Sequence, residues 1–210
     1  MSTRTRGRPA HADGGAMADD VLLDAVLQAF AENGFEGTSV REVARSLGIS
    51  HNLIPQRFGS KERLWYAAME HGFGRLTADL VAEAEILDGD EVAVLRGLVA
   101  RFIEINASHP ALLQIINQEA ARPGPRLDYL FDTYIRPVRD FGGEWLSRLA
   151  DEGRVSHNAV TLLYFLMTHG AGGLFALPAL TERLNEGATA PAKEQISQAV
   201  DIIFDGLLAR

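Results

Sequence analysis

Apolar residues recur along this chain at intervals of three and four, the spacing that gathers them on one helix face, and no stretch alternates as a strand does. Leu22, Leu23, Val26, Ala29 and Phe30 form the first stripe, which opens near Asp19 and Asp20 and is stopped by Asn33-Gly34, a pair suited to positive φ. Val40, Val43, Ala44 and Leu47 form the second; Thr38 or Ser39 caps it, and Ser39 with Glu42 matches a capping box. After Gly48, Ser50 is placed to cap a third helix running to Phe58, with Ile54 and Phe58 facing inward. The pattern predicts further helices from Ser60 to Leu87, Glu91 to His109, Pro110 to Ala121, Arg126 to Glu152, Asn158 to Leu177 and Ala192 to Ala209. Pro137 falls inside one of them and is expected to kink it. The chain is therefore expected to be all-α, with about nine helices.

Ala44, Gly48 and Ile54 have a shared steric logic. A small residue lets a second helix cross the first, a glycine takes the positive φ of the turn, and a branched apolar residue anchors the second helix. This is helix-turn-helix spacing, in which the second helix turns His51, Asn52 and Gln56 toward base edges in a major groove.

In context, Leu22 to Ala25, Gly34 to Thr38, Ile49-Ser50, Arg57-Phe58 and Lys61 to Leu64 resemble the TetR family of bacterial transcriptional regulators over about Val21 to Leu64. The resemblance implies an amino-terminal three-helix DNA-binding domain over residues 17–66, behind a basic arm of residues 1–16. It also implies a ligand-responsive, dimerising helical domain over residues 67–210, paired with a second copy through the last two helices. The shorter motifs His109 to Leu112, Pro123 to Arg126 and Tyr134 to Pro137 look like segments of some members. One departure is Ile54-Pro55-Gln56-Arg57-Phe58, where the family usually has Leu-Tyr-x-His-Phe. Pro55 replaces a tyrosine that often touches phosphate, and a helix begun at Ser50 is expected to be distorted there because the ring crowds the His51 carbonyl. Arg57 is placed to recover the phosphate contact.

Lys61 follows the Ser60 cap in a helix's first turn, where the macrodipole disfavours a cation unless a phosphate binds beside it. Phosphate contact and ordinary solvation are both open for it, as capping and phosphate contact are for Thr38 and Ser39. Arg6-Gly7-Arg8-Pro9 resembles the core of an AT-hook, so Arg6 and Arg8 are candidates for an A·T-rich minor groove, against the plainer reading of a solvated tail.

Composition narrows the classes. With 47% hydrophobic and 23% charged residues in 210, the chain can build an ordinary core, and without cysteine it has no thiol chemistry. The net charge of −8 lies entirely after Tyr66: eight bases and eight acids precede that point, twelve and twenty follow it. The amino-terminal part can approach an anionic partner that the rest repels. Val155 to Thr181 holds 27 residues without one Asp, Glu, Lys or Arg. A membrane span is one home for such a run; its His169, glycines and Pro178 favour burial between two subunits. No apolar leader follows the first arginines, so a cytoplasmic protein is expected.

Tyr134, Val138, Phe141 and Trp145 share a helix face, Phe102 and Asn106 lie four apart, as do Phe165 and His169. These are candidate effector contacts, with plain core or interface as the alternative; Asn106 and His169 stand out because a polar group on an apolar face needs a partner. No P-loop, His-Glu-x-x-His or metal-ligand spacing occurs, so neither catalytic residues nor a cofactor nor a metal are expected. A repressor released by a small molecule is the leading expectation. An activator, an effector-independent regulator and a helical small-molecule carrier are the alternatives.

Overall fold

A computed structural model describes residues 15–186 and 190–208, and the described residues are helical with no named strand. The first three helices are α1 (Gly15–Gly37), α2 (Val40–Ser46) and α3 (Leu53–Phe58), followed by the long α4 (Lys61–Ile86). Leu22, Val26, Leu27, Phe30 and Ala31 of α1, Val43 and Ala44 of α2 and Ile54 of α3 are buried against Leu64, Trp65, Ala68 and Met69 of α4. Gly34 takes φ 67° and ψ 173°, as Asn33-Gly34 predicts, and breaks the regular helix there; the short turn beyond it carries α1 to Gly37.

The next elements are α5 (Glu91–Ser108), α6 (Ala111–Ala120), α7 (Pro125–Leu130), α8 (Arg136–Asp151), α9 (Ala159–Phe165), α10 (Gly173–Ala176), α11 (Pro178–Leu184) and α12 (Ala192–Leu207). Two π turns, Phe131–Ile135 and Leu166–Ala171, join α7 to α8 and α9 to α10 into continuous rods, leaving ten helical bodies among the described residues. The expected kink at Pro137 takes the form of the first π turn. The widened turn lies just ahead of the proline, where a regular helix would press a carbonyl against its ring. The tenth body is α11: the chain breaks at Leu177 and Pro178 opens a new helix, where the sequence pattern ends one.

Two apolar clusters hold the molecule. The first spans α1 to α4 and extends to Ile105, to Leu112, Ile115 and Ile116 of α6, and to Leu130 of α7. The second gathers Leu95, Val99 and Ile103 of α5, Leu146 and Leu149 of α8, Leu163 of α9, and Ile196, Val200, Ile203 and Phe204 of α12. Phe102 packs against both. The amino-terminal helices thus share a core with α6 and α7, and α4 passes residues 66 and 67 without a break.

The uncharged run forms α9, its π turn and α10. Its segment Ala159–Ala176 is long and apolar enough to cross a bilayer, and one third of it is buried within the chain. Leu162, Phe165, Leu166, Leu174 and Leu177 remain exposed, as does Ile202 on α12. The glycines of this run divide. A Cβ on Gly172 would meet the Thr168 carbonyl oxygen at 2.4 Å and Leu113 of α6 at 2.5 Å, whereas Gly170 and Gly173 face open space. Gly172 therefore serves close packing inside this chain.

Candidate nucleic-acid interface

The α2–α3 unit has the geometry its sequence predicts. Gly48 takes φ 66°, Ala44 is fully buried at the crossing, and Ile54 is 2% exposed while His51, Asn52 and Gln56 are exposed. Where the sequence puts the start of α3 at Ser50, the structure puts it at Leu53. The Ser50 carbonyl accepts from the Leu53 N–H at 2.9 Å and its hydroxyl from the Asn52 N–H at 3.4 Å, so residues 50–52 form a turn ahead of the helix. This also corrects the expected distortion at Pro55. It is the third residue of α3, where a backbone N–H has no intrahelical partner in any case, and the His51 carbonyl lies outside the helix. The proline shortens the helix to six residues and leaves it regular.

Around this unit, Ser39 caps α2, accepting from the Glu42 N–H at 3.4 Å, and Ser60 caps α4, accepting from the Arg63 N–H at 3.1 Å. Thr38 is buried, its hydroxyl 2.7 Å from the Gly34 carbonyl and 3.0 Å from that of Ala29; it ties the kink in α1. Arg57 pairs with Asp19 at the start of α1. Lys61 donates to the Glu36 carbonyl at 3.2 Å and holds its ammonium 4.8 Å from the centre of the Phe35 ring. His71 of α4 lies 2.8 Å from Asp24, a further tie between α4 and α1. Ser39, Ser50, His51, Asn52, Gln56, Arg57 and Lys61 are thus brought to neighbouring elements, with His51, Asn52 and Gln56 exposed. Arg6 and Arg8 lie outside the described residues.

The candidate effector residues fall in separate places. Asn106 is 1% exposed; its amide nitrogen donates to the Phe102 carbonyl at 2.8 Å, which leaves Oδ1 buried with no partner. Tyr134 stacks on Phe73 at 5.4 Å, its hydroxyl 3.3 Å from that of Tyr129. Burial, and then that hydrogen bond, push the Tyr134 phenol well above the usual tyrosine range, so it stays neutral. Phe141 is exposed and packs on the half-buried Trp145 at 4.7 Å. Phe165 and His169 are exposed on the uncharged face, 5.2 Å apart, with His169 Nδ1 2.8 Å from the buried Thr168 hydroxyl. The sequence pattern marked Asp19 only as a helix start and Phe35 only as part of the family resemblance, and did not single out Glu119 or Tyr129, because each acts through a partner more than 20 residues away or on another helix; Arg126 carried only the signal of its Pro-Gly-Pro-Arg motif.

Residues 22–68 match the family described as bacterial regulatory proteins, tetR family. Over 127 residues the chain is 31% identical to the HTH-type transcriptional repressor NicS of Pseudomonas putida, a match spanning 59% of this chain and 57% of that repressor. The chain thus spans little more than half the length of that relative. Its fold is that of the ketosteroid transcriptional regulator KstR2 of Mycobacterium tuberculosis, at a TM-score of 0.73 with 20% identity, covering 97% of this chain and all of the other. It is also that of AibR, solved with isovaleryl coenzyme A and operator DNA, at a TM-score of 0.70 with 15% identity, covering 89% and 97%.

Proposed function

We propose that this chain, which through residues 22–68 belongs to the tetR family of bacterial regulatory proteins, is a DNA-binding transcriptional repressor that a small molecule releases from its operator. The observation that carries the reading is the turn at Gly48 with Ile54 buried behind it, which leaves His51 and Asn52 exposed in the turn ahead of a short helix and Gln56 exposed on that helix. Asn can pair bidentately with adenine in the major groove, and Gln likewise. Ser39, Ser50, Arg57 and Lys61 flank them for phosphate, with Thr38 holding the α1 end in place, and Arg6 and Arg8 reach the minor groove. Two copies pair through α9, its π turn and α12, so that two such units meet half-sites about 34 Å apart on a pseudo-palindromic operator. The exposed Leu162, Phe165, Leu166 and Ile202 are the apolar surface that this pairing would cover, and the reading is of a cytoplasmic, non-enzymatic regulator, as the relatives are transcriptional regulators.

Binding to the DNA immediately upstream of the chain's own gene, followed across a salt series, tests the reading. Asn52→Ala is expected to remove about 1–3 kcal/mol of discrimination between the operator and unrelated DNA. Lys61→Ala is expected to weaken both alike and lower the slope of log K against log salt by about 1. Equal, steeply salt-dependent binding of the parent chain to every sequence would return the carrier alternative.

The effector is taken by the carboxy-terminal body, where Asn106, like Arg101 and Asn117, has a buried polar atom without a partner and is the candidate contact. Its nitrogen is committed to Phe102, so Oδ1 can only accept, which favours an effector carrying a hydroxyl or N–H. The relative seen with isovaleryl coenzyme A and operator DNA supports a small-molecule effector. Tyr134 and Phe102 border the same interior; the exposed Phe141, Trp145 beside it, and Phe165 and His169 belong to outer surfaces, the last two to the dimer face. Asn106→Leu is expected to keep DNA affinity and raise stability by roughly 1 kcal/mol, since a buried unsatisfied acceptor disappears, while release by the effector is lost. Thermal melts and DNA release in the presence of screened effectors read both; a variant that is less stable yet still released counts against Asn106.

A further inference from the structure

Lys61 is held by residues that are themselves held from the other end of the core. Its ammonium lies 4.8 Å from the centre of the Phe35 ring and donates at 3.2 Å to the carbonyl of Glu36, the next residue in the chain. That ring stacks on Phe30, with centres 5.8 Å apart and planes 9° from parallel. It also receives the guanidinium of Arg126, the second residue of α7, whose central carbon is 4.2 Å from the ring centre. Arg126 cannot swing away freely, because its Nε lies 2.9 Å from both carboxylate oxygens of Glu119 at the end of α6. A second tie runs beside the first: Gln118 of α6 donates to the Ala31 carbonyl of α1 at 2.5 Å.

Two cations on one aromatic ring repel each other, and the ring's attraction is shared between them. Glu119 changes that balance. Its carboxylate neutralises Arg126 at close range, and with the Glu119 side chain 13% exposed and that of Arg126 28%, solvent screens the pair only in part. Arg126 then anchors the ring without driving Lys61 off it. We propose that Arg126 is a positioning residue for the phosphate contact of Lys61, acting across Phe35, so that the α6–α7 corner sets the geometry of the DNA-gripping end of α4. This rests on the assignment of Lys61 to phosphate made above. It adds a physical route by which a displacement of α6 in the effector-binding body reaches the DNA face: moving Glu119 moves Arg126, the ring, and with it the platform and carbonyl that direct Lys61.

The test is a double-mutant cycle on the full-length protein, with binding to the upstream duplex measured across a salt series. Lys61→Ala is expected to weaken binding about tenfold and lower the salt slope by about 1. Arg126→Gln, which touches no DNA, is expected to weaken binding about three- to tenfold and lower the slope by a similar amount, and to add less than about twofold in the Lys61→Ala background. Arg126→Lys, which returns a cation to the ring, restores most of the loss. Glu119→Gln, which removes no bulk, reproduces the lower slope, so a folding defect in Arg126→Gln does not decide the outcome. An unchanged slope in Arg126→Gln, or losses that multiply in the double variant, overturns the proposal while leaving the DNA-binding function standing. A Lys61→Ala variant that binds as the parent does overturns the assignment of Lys61 to phosphate, and this proposal with it.

Discussion

Ile202→Asp is expected to convert the protein from a particle of twice 22.9 kDa to one of 22.9 kDa and to lower its operator affinity by at least about a hundredfold. Ile202 stands 73% exposed on α12, and Leu162, Phe165 and Leu166 are exposed on the rod against which α12 packs. It makes little packing within its own chain, so the substitution leaves the monomer's core intact. Covered by a second copy, each such isoleucine contributes about 1.5–2 kcal/mol, and a two-fold axis counts it twice. An aspartate there must either be buried without a partner or hold the face open, and Asp205, three residues on, adds like charge on the same helix. The effect on DNA follows from the shortness of α3. Six residues and the turn before them present few base contacts, so tight binding depends on linking two half-sites in one molecule, and linkage is worth about two to four orders of magnitude. Sedimentation and operator binding read the two effects together. Val81→Asp, on an exposed position of α4 away from this face, serves as the control and is expected to change neither. A variant Ile202→Asp that remains dimeric and binds as before would remove the proposed interface.

The second large effect is expected at Gly172. Gly172→Ala should destabilise the chain by about 3 kcal/mol and lower its melting temperature by roughly 6–12 °C. The new methyl carbon would stand 2.4 Å from the Thr168 carbonyl oxygen, 2.9 Å from that of Met167 and 2.5 Å from the Leu113 side chain. Leu113 can rotate, but it is 1% exposed and surrounded, and the two carbonyls belong to the π turn, where the Gly172 N–H already bonds the Met167 oxygen at 2.9 Å. Nothing near the methyl can give way without opening the turn or displacing α6. Gly170→Ala and Gly173→Ala, whose methyls meet nothing within 4 Å, should be neutral or slightly stabilising in the monomer through helix propensity. Equal melting temperatures for all three variants would show that the turn is looser than its geometry indicates.

These three glycines mark one boundary between what composition reveals and what packing assigns. The cluster from Gly170 to Gly173 is conspicuous in the sequence, and close helix approach is its natural reading, but only the fold says that Gly172 approaches α6 of the same chain while the others look outward. Pro137 shows the same division. Its clash with a preceding carbonyl is inherent in the residue; that the chain relieves it by a π turn at Phe131–Ile135 depends on how α7 packs beneath α1 and α6. Pro55 is the opposite case. Its harm depended on where α3 began, and a start at Leu53 instead of Ser50 makes the proline harmless.

By itself the sequence determined the helical class, the buried stripes of α1 and α2, and the helix-turn-helix with its positive-φ glycine at position 48, because these follow from periodicity and local backbone sterics within a few residues. It also determined that an anionic partner is repelled by the carboxy-terminal part and not by the net-neutral amino-terminal one. Tertiary structure decided what distant residues do to one another. It buried Asn106 with an unspent acceptor, turned the Thr38 hydroxyl inward, separated Phe141, Phe165 and His169 from the interior, and brought Arg126 and Lys61 onto one phenylalanine ring. No local rule contains those outcomes, since each depends on which helix faces meet once the apolar stripes have been buried together.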